Sequence, residues 1–108
     1  MALSQSTIQE IARELIEAER KRKPLEPISQ RYGELSYDEA YAIQKKTAEI
    51  KIASGAVIVG RKIGLTSKAM QEQSKINEPD YGVVFSSGVF REGQVIDMKK
   101  IVWHRIEA

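Results

Sequence analysis

Apolar residues recur at helical spacing near the start of the chain and at alternating spacing beyond its midpoint. Ile8, Ile11, Ala12, Leu15 and Ile16 fall on one stripe of a helix, with Glu10, Arg13, Glu14 and Glu17 on the polar side. Ser6 and Gln9 have capping-box spacing, which predicts that this helix opens at Ser6. Arg20, Lys21, Arg22 and Lys23 crowd its predicted end, where cations favour the helix dipole. Pro24 and Pro27 break the helix, and residues 24–35 read as an irregular crossing segment. Ser36 and Glu39 repeat the capping-box spacing and predict a second helix. Its apolar positions, Ala40, Tyr41, Ile43, Ala48, Ile50, Ile52 and Ala53, spread over more than one stripe, so it is expected to be buried on two sides. Gly55 is a suitable stop.

The period then changes to two. Val57 to Leu65 reads as a strand whose one face carries Val57, Val59, Ile63 and Leu65, interrupted by Arg61, and is expected to pack. The other face carries Gly60, Lys62 and Gly64. Glycine in a strand marks a bulge, or a place where a ligand or another backbone comes close. Thr66 or Ser67 caps a short helix over about Lys68 to Gln73, with Met70 as its main apolar contact, and Pro79 ends the helical tendency. Val83–Phe85, Val89–Phe90 and Val95–Met98, separated by short turns, read as a meander. Ile101 to Ala108 reads as a last strand, with Ile101, Trp103, Arg105 and Glu107 on one face. Helices come first and strands later, which predicts an α+β fold of two N-terminal helices, a short helix and a mainly antiparallel β meander.

The 108 residues fit one domain. Seventeen basic and fifteen acidic residues give a net charge of +2, too balanced to suggest nucleic acid as a partner. The run Arg20–Lys23 lacks interleaved aromatics and follows acidic residues, so it reads as a solvated helix end. There is no apolar run for a membrane span and no secretory leader pattern, so a cytoplasmic protein with no membrane partner is expected. Without cysteine there is no disulfide, zinc–thiolate site or thiol nucleophile, and one histidine excludes a multi-histidine site within the chain. A metal here would need oxygen ligands, which points to magnesium, manganese or calcium.

Lys62 is the sharpest local signal. Between two glycines it is either a group that binds a carboxylate or stabilises an enolate, a Schiff-base amine, or a surface lysine beside bulge glycines. Asp80, in Pro79–Asp80–Tyr81–Gly82, reads first as turn chemistry, though a carboxylate there can act as a base beside a partner such as Lys62. Glu107 and Arg105 share a strand face and read as a surface ion pair; one carboxylate is a poor metal site. His104 shares a face with Val102 and Ile106, which favours a satisfied, partly buried histidine, and Trp103 reads as core.

GRKIGLTSKAMQ (residues 60–71), NEPDYG (77–82) and RIEA (105–108), with DEAYAIQ (38–44) before them, resemble the 2-oxo-alkenoate hydratase and 4-oxalocrotonate decarboxylase family of the fumarylacetoacetate hydrolase superfamily. The likeness runs from the first helix to the last residue. It implies a metal-dependent hydratase of aromatic meta-cleavage catabolism that adds water to a small 2-oxo acid. SKAMQ and EPDYG are most similar to members that hydrate 2-oxo-hept-ene-1,7-dioate; 2-hydroxypenta-2,4-dienoate is the other substrate implied. Family members are more than twice this length, and their RIEA run continues as Glu-x-Glu. The resemblance therefore implies an N-terminal portion ending inside the metal motif, inactive alone. It also implies roles: Lys62 favours developing negative charge, Asp80 moves the proton, and Glu107 is a ligand of Mg2+ or Mn2+. Pro–Asp implies a hydratase, since related decarboxylases often carry an apolar residue there. A homo-oligomer is expected. A decarboxylase is one alternative. The other is a non-catalytic interaction fragment that self-associates or takes a partner at the edge of its terminal strand.

Overall fold

Residues 3–102 and Arg105 are described in the computed structural model. Among them the chain forms four helices and two strands: α1 (Gln5–Lys21), α2 (Ile28–Tyr32), α3 (Tyr37–Ala53), β1 (Ile58–Gly64), α4 (Lys68–Ser74) and β2 (Asp80–Phe85). The α+β class stands, but the expected meander is reduced to one antiparallel pair.

The core is helical. Ile8, Ile11 and Ala12 of α1 and Ile43 of α3 are buried, with Leu3, Leu15, Ile28, Tyr32, Leu35 and Ala42 packed partly around the isoleucines. This is the predicted stripe of α1 laid on α3. Its N-terminus differs from expectation: the cap is Ser4, whose hydroxyl accepts the Thr7 amide hydrogen. Ser6 lies within the first turn, and Leu3, just before the Ser4 cap, donates its N–H to Glu39 at 2.9 Å.

Residues 24–35 are not wholly irregular. Pro27 stands at the N-cap of α2, where its fixed φ suits a helix start. Ile28 and Tyr32, four residues apart, both face the core, and Arg31 pairs with Glu14 of α1. That i,i+4 spacing is the signal that the flanking prolines obscured.

The capping box of α3 forms as predicted. Ser36 Oγ accepts the Glu39 N–H and Glu39 Oε1 accepts the Ser36 N–H. Gly55 follows the helix at φ 108, a conformation glycine takes without steric cost. Two sides of α3 are used, as expected, but by different chemistry. Ile43 meets α1, while Tyr41, Gln44 and Lys51 meet β2.

The later apolar runs do not form strands. Val89 and Phe90 lie outside any element, and Val95 to Ile96 lead into a single 3-10 turn at Met98–Lys100. Ile101, Val102 and Arg105 are also outside strands, and Trp103, His104 and Glu107 lie outside the described residues. Val95 is 92% exposed. A strand needs a ladder partner and a covered face, and these segments find neither among the described residues. The face of β1 expected to pack is likewise open: Val57, Val59 and Ile63 are all more than half exposed, and no second layer of the described chain covers them. Met70 is half-exposed and makes no core contact, and α4 ends at Lys75 in a left-handed cap before Pro79 is reached. No described helix is long and apolar enough to cross a membrane.

Glu39 accepts backbone hydrogen bonds from both Ser36 and Leu3, which hold its carboxyl below the ordinary value of 4.5. A depressed folded value means stability that is present above 4.5 and lost as pH falls through the lower folded value. Urea unfolding at stepped pH should therefore show Glu39→Gln less stable than the parent near neutrality, with the gap closing below 4.5. A gap that stays constant into acid would contradict this account.

Candidate active site

Strand register builds the site. β1 and β2 pair antiparallel, with Gly60 opposite Val84, Lys62 opposite Gly82 and Gly64 opposite Asp80. Directly opposed residues point to one face, so Lys62, Gly64, Asp80 and Gly82 share a face. Lys62 and Asp80 are diagonal neighbours, a relation that in such ladders spans about 7–8 Å. The register places the two residues on one face of the ladder. The expectation that Asp80 belongs to a turn is not met: it opens β2, because its backbone is drawn into the ladder opposite Gly64.

The two glycines beside Lys62 differ. A Cβ built on Gly60 would meet nothing within 4 Å, and a register shift between Ile58 and Gly60 marks a bulge there. A Cβ built on Gly64 would collide with Asp80 Oδ1. The carboxylate therefore rests in the space that any side chain at 64 would fill. Gly82, opposite Lys62, would place a Cβ 3.6 Å from Gln44 Nε2, an ordinary contact.

Immediately after β1 the chain turns through Leu65 at φ 52. This left-handed conformation costs a leucine about 1–2 kcal/mol. Gln71 of α4 donates its side-chain amide to the Leu65 carbonyl at 2.8 Å. Ser67 caps α4 by accepting the Met70 N–H, as one of the two predicted caps.

Helix α3 makes contacts with β2. Gln44 Nε2 donates to the Tyr81 carbonyl at 2.9 Å. The rings of Tyr41 and Tyr81 stack with centroids 4.4 Å apart and planes 11° apart. Lys51 Nζ lies 5.3 Å from the Phe85 ring centre and 2.7 Å from Glu19 of α1. From Tyr41 to Lys51 a helix rises about 15 Å, and from Tyr81 to Phe85 a strand advances about 13 Å. The two spans are similar, so α3 can meet β2 at both Tyr81 and Phe85. Asp80 lines a cavity of about 230 Å³ whose walls include Tyr37, Tyr41, Ile76 and Pro79. Sequence reasoning did not single out Tyr37, Gln44 or Gln71 as site residues. Gln44 and Gln71 look like surface glutamines on helices, and no local pattern shows which carbonyl each will reach.

Among the described residues no three His, Asp or Glu side chains gather as a metal site. Glu107, the expected ligand, lies outside them.

No family model matches the chain. It is 43% identical over 97 residues to a 2-oxo-hept-4-ene-1,7-dioate hydratase of Escherichia coli, covering 90% of this chain and 36% of that protein. It is 35% identical over 100 residues to a 2-keto-4-pentenoate hydratase of Paraburkholderia xenovorans LB400, covering 93% and 37%. The chain resembles the hydratase and decarboxylase family along nearly its whole length. A solved 4-oxalocrotonate decarboxylase from Pseudomonas putida G7, complexed with calcium and acetate, superposes with a TM-score of 0.88 at 28% identity, over 92% of this chain and 38% of that one. A second structure of that decarboxylase holds magnesium and adipate. The chain thus spans little more than a third of the relatives it matches.

The contrast between the glycines gives a paired test. Gly64→Ala should turn the Asp80 side chain away while changing stability by no more than about 1 kcal/mol, since the displaced atom ends a flexible side chain. Gly60→Ala should leave Asp80 where it is. Carboxyl-carbon shifts and side-chain couplings of Asp80 read both; equal responses in the two variants would refute the seating of Asp80 on Gly64.

Proposed function

We propose that this chain is the N-terminal part of a hydratase that adds water to a 2-oxo-alkenoate, with 2-oxo-hept-ene-1,7-dioate as the substrate of choice. The observation that carries the reading is the shared face of Lys62 and Asp80, with the carboxylate seated over Gly64. Names of the relatives support the same chemistry.

The substrate is an oxo acid that passes through a dienolate. An ammonium group beside the developing oxyanion favours it over the neutral ketone, which is the role of Lys62. Proton transfer at carbon then needs a group that can both accept and donate, on the same face and a small molecule's length away. Asp80 fills that role. Tyr37 and Tyr41 give the Asp80 side an aromatic wall against which a small acid can pack.

The described residues do not by themselves form a metal site. We assign a divalent cation, Mg2+ or Mn2+, to Glu107 together with ligands outside this segment. Support comes from the calcium and magnesium in the decarboxylase structures.

In the enzyme that carries this segment, Lys62→Ala and Asp80→Asn should each lower kcat about a hundredfold or more, measured by loss of the dienoate absorbance. Chelator should abolish the activity and added Mg2+ should restore it. Unchanged rates in both variants would remove the assignment. The fold match to a decarboxylase favours one second reading: release of carbon dioxide from an oxalocrotonate-type acid without a hydrated product would select it.

A further inference from the structure

Among the described residues, three non-glycines have left-handed backbone: Arg22, Leu65 and Lys75. Two have an ordinary reason. Arg22 and Lys75 close α1 and α4, each donating its N–H to carbonyls of the last turn. Leu65 ends no helix. It follows β1 directly, and the Gln71 side chain reaches back six residues to hold its carbonyl in a partly buried contact.

The consequence falls on Asp80. An extended Leu65 would let β1 continue, and Thr66 would then join Lys62 and Gly64 on their face. A threonine side chain would stand beside the place where the Asp80 carboxylate rests on Gly64. The left-handed corner turns the chain off that face and into α4 instead. A leucine does not hold such a corner unaided, because its Cβ crowds the following carbonyl oxygen. A side-chain amide is suited to the task, since it donates to a carbonyl without bringing a charge near the site.

We propose that Gln71 is a positioning residue for Asp80: its amide fixes the Leu65 corner and so keeps the surface over Gly64 clear for the carboxylate. Its functional meaning rests on the reading of Asp80 as the proton-transfer group, while its geometry does not.

The test uses the labelled chain in solution by NMR. In Gln71→Met, which keeps the length and removes the donor, the Leu65 Cα and Cβ shifts should leave left-handed values. The Asp80 side-chain couplings should change from one rotamer to an average. Adding Leu65→Gly should return the Asp80 couplings to parental values, because glycine takes this conformation without a clamp. Gln71→Ala carries the same expectation should the methionine variant not fold. Parental Asp80 couplings in a folded Gln71 variant would overturn the proposal. So would failure of Leu65→Gly to restore them, or unfolding of both Gln71 variants, which would make Gln71 a general structural residue. No turnover is read, so the outcome is separate from the hydratase assignment. A silent enzyme with responsive Asp80 couplings would reject the function and keep the positioning role.

Discussion

A two-stranded antiparallel ladder is marginal in water unless something supports it, and β1–β2 is supported from one edge by α3. The outer carbonyl of Tyr81 takes the Gln44 amide, the Tyr81 ring lies on Tyr41, and Phe85 sits under the Lys51 ammonium. An exposed strand edge is a row of unpaired backbone groups that invites another chain. Gln44 satisfies one of these groups, the Tyr81 carbonyl, while Tyr41 and Lys51 of α3 meet the side chains of Tyr81 and Phe85. Because the other flank of α3 buries Ile43 against Ile8 and Ile11, the same helix touches both the helical core and the two-stranded sheet. The ionic ties are peripheral by comparison. Exposed pairs such as Arg20 with Glu17 contribute little, whereas Lys51 spans α1, α3 and β2 at once.

With the strand pair fixed, the site follows from register. A slip of one residue would send Lys62 or Asp80 to the opposite face. Opposition of Gly64 to Asp80 sets where the carboxylate rests, and opposition of Gly82 to Lys62 leaves no bulky side chain across from the lysine. The two glycines in β1 thus have separate uses: Gly60 eases a bulge, and Gly64 leaves room for a functional atom. Leu65 breaks a local rule at this place, where a backbone outlier has a consequence for the site.

The open face of Val57, Val59 and Ile63 belongs to the same physics. Alternating apolar residues promise a buried face only where a second layer reaches them; among the described residues α3 meets the β2 side of this face at Tyr81 and Phe85 and leaves Val57, Val59 and Ile63 more than half exposed. The apolar runs at Val89–Phe90 and Val95–Ile96 were expected to become strands for the same reason and did not. Pattern records what a segment can bury, and the partner determines whether it does.

Local chemistry was legible from residues alone. The α1 stripe, the Ser36–Glu39 capping box, Ser67 as a cap, Gly55 after α3, and the Gly60–Lys62–Gly64 face each depend on neighbours within a few positions. The motifs around Lys62 and Asp80 were sufficient to suggest the family resemblance, and with it the chemistry. What only the tertiary structure decided were relations across the chain: Asp80 in a strand, the reach of Gln44 to Tyr81, and the clamp of Gln71 on Leu65. The hydrogen bond from Leu3, just before α1, to Glu39, 36 residues away, is another such relation. Hydrogen bonds to a backbone carbonyl leave no periodic trace, because any glutamine on a helix can reach any carbonyl that packing brings near. Register and packing choose the carbonyl, and both depend on contacts distant in sequence.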